Sequence, residues 1–288
     1  VPVELHGPLR DVQDVGDVAV FGSSLLAISG DRVLDVAPET GKTRAVTSGT
    51  GHELRGLSAD AKGVFYVTDA TDHQIVAYDA KGRERRRYGI GGGPYAGAYV
   101  PARLVRPRGT VVFGDRLVVT EDREQPKRFL QFNLADGAVV DERFGNPPYG
   151  GSGGGFDSRD ATRWIGMGCQ WAIDPQGSNE KAAPRPVSIF FADEGHFGGY
   201  YDWAYRYRYE HRENRTFVVG SGFIQTVSEL REDGSLRDLA AFSNIASWRY
   251  GCGWEPPQAF LDALTSAGIE NPADGKVSGR GVLWVDLS

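Results

Sequence analysis

An all-β fold built from repeated strand meanders is predicted by three observations. Residues 54–89 read as short strands divided by polar turns, and residues 106–145 repeat that pattern. The chain carries 39 glycines in 288 residues, and strong helix signals are scarce. A meander of this size cannot bury its apolar faces alone, so each copy needs siblings stacked against it.

The first copy sets the pattern. Gly56-Leu57-Ser58 leads into a turn at 59–63. Val64-Phe65-Tyr66-Val67-Thr68 is β-branched and aromatic, the composition suited to a pleated, half-buried surface. Asp69 to His73 is a polar turn, Gln74–Tyr78 the second strand, and Asp79-Ala80-Lys81-Gly82 a turn whose glycine permits positive φ. Arg83–Tyr88 is the third strand. Its run Arg83-Glu84-Arg85-Arg86-Arg87 reads as a solvated edge that discourages sheet-to-sheet pairing. In the second copy Val119-Thr120-Glu121 matches Val67-Thr68-Asp69, and Lys127-Arg128-Phe129 matches His73-Gln74-Ile75. Asp136-Gly137 matches Lys81-Gly82, and Arg143-Phe144-Gly145 matches Arg87-Tyr88-Gly89.

These two stretches, about residues 54–145, resemble NHL-repeat blades, whose consensus carries a YVxDxxNHRI core. The resemblance implies a β-propeller of six blades, one of them incomplete, spanning 1–288 as a single domain. It implies a ligand or partner at one face or in the central channel.

The rest of the chain supplies weaker echoes. Asp17–Phe21, Leu25–Ile28 and Arg32–Val36 are apolar runs, with a fourth strand near Thr43–Val46. The Gly-rich loops 90–101 and 146–155 lack a GK[ST] ending and read as crossings between blades, not phosphate cradles. Trp164–Ile173 and Val187–Glu194 flank a polar excursion. Within residues 196–211, Tyr205, Tyr207 and Tyr209 alternate with Arg206, Arg208 and Glu210, and the chain returns through Thr216–Val219 as a hairpin. Phe223–Phe242 is a further meander, and Pro257–Gly268 is the one helix expected. Val282–Asp286 looks like the second strand of a blade with nothing after it. Either the N-terminal segment supplies the missing outer strands or, as the start at Val1 and the lack of a visible signal peptide suggest, the sequence is a processed piece of a longer protein.

A formal net charge of −6 argues against nucleic acid, whose binding rests on Lys and Arg neutralising phosphates. No apolar run is long enough to span a membrane as a helix. Cys169 and Cys252 lie in matching Gly-Cys-x-Trp settings: either a disulfide, which would suit a secreted or periplasmic protein, or two buried thiols. No Ser-nucleophile elbow and no Cys/His zinc spacing is present.

The candidate site starts from the acid after the second strand: Asp69, Glu121, Asp193-Glu194 and Asp286. Two readings stand side by side. Such an acid caps the next turn, or a set of them lines a mouth that binds Ca²⁺ or a hydroxyl-rich ligand. Gluconolactonase-like propellers place a metal in such a setting, though their ligand pattern does not align here. Val67–Ile75 also resembles a segment of the peptidyl-α-hydroxyglycine amidating lyases, NHL propellers with a His-ligated metal, which would give His73 a Zn²⁺. The other histidines, His6, His52, His196 and His211, sit in no counterpart motif. Trp171, Tyr200, Tyr201, Trp203, Trp248 and Trp254 fall in or beside loop-like segments, where flat rings suit a sugar, peptide or protein partner. Asp69, His73, Glu121, Asp193, Glu194, Tyr201 and Trp203 are thus the expected ligand-binding residues, with Tyr201 and Trp203 shaping a mouth beside Asp193 and Glu194. The leading functional expectation is a noncatalytic binding domain of an exported protein. The alternative is a metal-dependent lyase or lactonase working in the channel.

Overall fold

The computed structural model describes residues 12–121, 128–145, 154–166, 168–177, 183–190, 204–222, 224–244 and 282–286. Within them every regular element is a strand, and the strands form five antiparallel sheets of four or five. The predicted helix at 257–268 lies outside the described residues. The strands fall into two compact units.

The first unit holds three four-stranded meanders. Sheet one is β1 (Val15–Phe21), β2 (Ser24–Ser29), β3 (Arg32–Val36) and β4 (Thr43–Ala45), matching the apolar runs in the sequence. Sheet two is β5 (Leu54–Ala59), β6 (Val64–Asp69), β7 (Gln74–Asp79) and β8 (Glu84–Tyr88). It has four strands where the sequence predicted three, because Leu54–Ala59 is a strand in its own right. Sheet three, after the short β9 (Gly97–Ala98), is β10 (Pro107–Phe113), β11 (Arg116–Glu121), β12 (Arg128–Asn133) and β13 (Val139–Phe144). The first strands lie side by side, β1 against β5 and β5 against β10. Successive meanders packed through their first strands make this a propeller-like stack.

Sheet two is the filling of that stack. Phe65 and Val67 turn to sheet one, against Leu26, Ile28 and Val33. Tyr66, Ile75, Ala77 and Tyr88 turn to sheet three, against Leu117, Val119, Leu130 and Phe132. Burial on both faces makes β6 a continuous apolar run. On β10, by contrast, Val111 and Phe113 point away from sheet two and stay exposed. The basic strand β8 is the outer edge, as expected. Arg83, in the turn before it, pairs with Asp79, and its own Arg87 pairs with Glu84 and Asp72.

All three first strands carry a bulge, with one residue more than the partner strand between Val15 and Val18, Leu54 and Leu57, and Pro107 and Thr110. The freed N–H of Gly56 donates to Thr68 Oγ1 at 2.6 Å, and that of Gly109 to Thr120 Oγ1 at 3.0 Å. Thr68 then donates to the Arg108 carbonyl at 2.8 Å, and Asp17 accepts the Leu57 N–H at 2.9 Å, so the bulges stitch each sheet to the next. A Cβ on Gly56 would sit 1.9 Å from the Arg108 oxygen, so only glycine allows this approach.

The repeat alignment holds through the third strand and then slips. The turn into β13 (134–138) is one residue longer than the turn into β8 (80–83). Ile75 therefore faces Tyr88, while its equivalent Phe129 faces Arg143, so Arg87 and Arg143 are not equivalent.

The second unit holds two five-stranded sheets. One is β14 (Gly155–Phe156), β15 (Arg163–Gly166), β16 (Cys169–Ala172) and β17 (Arg185–Ile189), closed at its edge by β9 from the first Gly-rich loop. The other is β18 (Ala204–Arg212), β19 (Arg215–Gly222), β20 (Ile224–Leu230), β21 (Leu236–Asn244) and β22 (Val282–Asp286). The expected hairpin is β18–β19, turning at 213–214. Two expectations are corrected here. Val282–Asp286 is not a second strand: among the described residues it pairs with β21 and forms the edge of its sheet. Trp171 is not in a loop: it is a strand residue, 2% exposed, packed beside Trp164, with its indole N–H donating to the Gly166 carbonyl.

Candidate functional site

The register makes Ser29, Asp69 and Glu121 equivalent: each ends a second strand and faces the residue that begins the first strand of its sheet. Each also holds the residue two places before that first strand. Ser29 Oγ accepts from Gln13 N at 3.0 Å and donates to its carbonyl at 2.8 Å. Glu121 Oε1 accepts the Val105 N–H at 2.6 Å. In sheet two the equivalent residue is His52, and there the tie runs through a side chain. His52 Nδ1 lies 2.7 Å from Asp69 Oδ2, while the His52 backbone N–H donates to Thr50 Oγ1.

The sequence paired Asp69 with Glu121, and the structure places them equivalently but in different chemistry. Glu121 is sealed. Its carboxylate pairs with Arg128 Nε, and neither side chain has exposed surface. Arg128 also donates to the carbonyls of Pro101 at 3.0 Å and Arg103 at 2.7 Å, and to Glu142 at 2.8 Å. A buried guanidinium with this many acceptors is a fold-holding centre.

Asp69 is buried too, but it opens onto a partly exposed cluster. Its Oδ1 accepts the N–H groups of Thr71 at 3.0 Å and Asp72 at 2.9 Å, which is the turn-capping role read in the sequence. Its Oδ2 is left for His52. Asp72 Oδ2 lies 3.8 Å from His52 Nδ1 and accepts from Arg87 at 2.7 Å. About a third of the His52 and Asp72 side chains is exposed, at 32% and 34%. The hydrogen bond to Asp69 holds the His52 pKa above the usual histidine range, with burial and Arg87 opposing it. Nδ1, Asp69 and Asp72 offer ligand atoms within 4.8 Å of one another, the one such set among the described residues.

His73 does not join this set. It sits at φ 57°, in the left-handed region, in the turn between β6 and β7. Its Nδ1 accepts the Arg106 N–H at 2.8 Å, which ties sheet two to the lead-in of β10. Gly93 lies against the ring: a Cβ there would come 2.6 Å from Nε2. Burial, then Arg106, lowers the His73 pKa, so the ring is neutral with Nδ1 as acceptor.

Asp193, Glu194, Tyr201 and Trp203 lie outside the described residues, as do Tyr200, Trp248, Trp254 and Cys252. Cys169 is buried on β16. Asp286 ends an edge strand, so it is not equivalent to Asp69. The sequence reading missed His52, Asp72, Arg87 and Arg128 as members of these networks. A signal existed for Arg128, which aligned with Gln74 in the repeat.

No protein-family model matches the chain, and no curated protein does. Solved structures resemble the chain only distantly. A chain of a nidogen/laminin complex is 12% identical over 82% of this chain and 82% of its own, with a TM-score of 0.37. A gluconolactonase from Xanthomonas campestris is 16% identical over 81% and 84%, with a TM-score of 0.38. A Kuenenia stuttgartiensis hydrazine synthase is 11% identical over 83% and 69%, with a TM-score of 0.39. Likeness at this level conveys no ligand, activity or partner.

Proposed function

We propose that the chain is a single six-bladed NHL-like β-propeller, and that it is a noncatalytic binding domain of an exported protein. The observation that carries the reading is what surrounds Asp69. Glu121 and His73, which a channel metal would need as open ligands, are engaged in ties within the fold. Around them the lead-in loops and turns present exchangeable charges: Glu53 with Arg55 and Arg106, and Asp72 with Arg87 and His52. Exposed pairs of this kind contribute little to stability and exchange readily for charges on a partner. The partner class is a peptide, protein or carbohydrate with charged or hydroxyl groups. Tyr201 and Trp203, with Asp193 and Glu194, are proposed as a binding segment of their own.

The test is a glycan array and a peptide array probed with the full chain. A ligand whose affinity falls at least tenfold with Arg106→Glu or Trp203→Ala, and holds with Arg231→Glu, supports the reading. Turnover of a simple lactone or of an α-hydroxyglycine peptide, lost on Asp69→Asn, would sink it. That outcome would favour the metal-dependent lyase or lactonase, for which the His52–Asp69–Asp72 set is the structural argument.

A further inference from the structure

We infer that His52, Asp69 and Asp72 form a site for one borderline divalent cation, of the Zn²⁺ or Co²⁺ class. The site lies within the first unit, on the loop before β5 and the turn after β6. It uses neither His73 nor Glu121, and it does not depend on the binding reading above.

The geometry comes first. His52 Nδ1 is 2.7 Å from Asp69 Oδ2 and 3.8 Å from Asp72 Oδ2, and all three donors lie within 4.8 Å of each other. Metal bonds of about 2.0–2.2 Å to nitrogen and oxygen fit a triangle of that size with small side-chain shifts. The cation takes the place of the proton between Nδ1 and Asp69, and the ring keeps its other proton on Nε2.

The supporting shell is built. Asp69 is held by two backbone N–H groups on Oδ1, so Oδ2 is aimed at the site before any cation arrives. Thr71 Oγ1 accepts the Glu53 N–H at 2.9 Å, which fixes the His52 loop to the Asp69–Asp72 turn. Arg87 is the cation paired with Asp72. It also has Glu84, at 3.0 and 3.1 Å, and Gln74, at 3.3 Å, so it keeps acceptors when Asp72 turns to a metal.

A second observation is the comparison among sheets. Sheets one and three make the same tie through main-chain atoms of Gln13 and Val105. The fold therefore does not require an imidazole at position 52. Of these three sheets, sheet two alone places a nitrogen ligand beside a buried carboxylate, with a second carboxylate alongside. Buried charges are paired or bind metals. One nitrogen with two oxygens suits borderline cations. A hard cation such as Ca²⁺ prefers an all-oxygen set, and no thiolate is present to select a soft one. The exposed third of His52 and of Asp72 leaves coordination positions open to water or a ligand.

The experiment uses the full chain without a polyhistidine tag, stripped by chelator. Zn²⁺ binding is followed by calorimetry and Co²⁺ binding by visible absorption. One equivalent is expected. His52→Gln and Asp72→Asn each weaken it at least tenfold, and Asp233→Asn leaves it unchanged. Metal-free thermal unfolding of each variant separates loss of ligand from loss of fold. As a check that needs no variant, paramagnetic Co²⁺ should shift and broaden the ring NMR signals of His52 and spare those of His211. Full-strength binding in both folded variants, broadening at His211 instead of His52, or no saturable binding to the wild type overturns the site. Failure to find a partner on the arrays leaves this stoichiometry untouched, so the two readings fail separately.

Discussion

Sheets two and three of the first unit share one register through their first three strands and diverge in what meets the acid that ends the second. Asp69 and Glu121 both end a second strand and both hold the lead-in to a first strand. Glu121 meets a buried arginine and closes. Asp69 meets a histidine that is one-third exposed and stays within reach of solvent. A repeat thus specifies where an acid stands, while the residue facing it decides whether that acid is scaffold or site. Arg128 pairs with Glu121 from the position that Gln74 occupies in sheet two, and Gln74 cannot neutralise a carboxylate.

The sharpest way to break this contrast is at Arg128. Arg128→Ala leaves Glu121 charged and buried, and we expect a loss of about 3–5 kcal/mol in urea unfolding. Replacing the pair together, Arg128→Met with Glu121→Gln, should recover most of that loss. If the single and double variants are equally unstable, the ion pair is not the centre of sheet three.

The bulge glycines come next. Gly56→Ala drives a Cβ into the Arg108 carbonyl, whereas the nearest atom for Gly109→Ala is the movable Thr120 hydroxyl, at 3.0 Å. We expect about 2–3 kcal/mol for the first and under about 1 kcal/mol for the second. Equal costs, read by thermal unfolding, would remove the argument that sheets two and three meet at this point.

The threonines sharpen the same contact. Thr68 is fully buried and both accepts and donates, so Thr68→Val orphans the Gly56 N–H and costs about 1–2 kcal/mol. Thr120 is exposed, and Thr120→Val should stay within about 0.5 kcal/mol. Faster hydrogen exchange at Gly56 in Thr68→Val, with Gly109 unaffected, is the local check.

A small effect is also expected at the candidate site. His52→Ala in chelator should cost under about 1 kcal/mol, because the imidazole is partly solvated and the sibling sheets manage without one. A loss comparable to Arg128→Ala would make His52 part of the scaffold and weaken every site reading of it.

The sequence showed much of the strand pattern because a half-buried or doubly buried strand needs apolar, β-branched residues at short range. That is why Leu25–Ile28, Val64–Thr68 and Gln74–Tyr78 could be read directly. Leu54–Ala59 could not, since the Arg55-Gly56 bulge interrupts its alternation, and the hydroxyl that satisfies the bulge comes from Thr68 on another strand. The slip at β13 was also hidden, because one extra turn residue changes pairing without changing composition.

By itself, the sequence determined that the described residues are built of strands, that 54–89 and 106–145 are sibling meanders, and that Asp69 and Glu121 occupy the same place in them. These are consequences of local periodicity and turn chemistry. Only the tertiary structure decided which acid is sealed and which is open, and that His52 rather than His73 stands beside Asp69 and Asp72. Ion pairing and burial depend on groups brought together across many residues of chain, and no spacing within one strand records which side chain will arrive there.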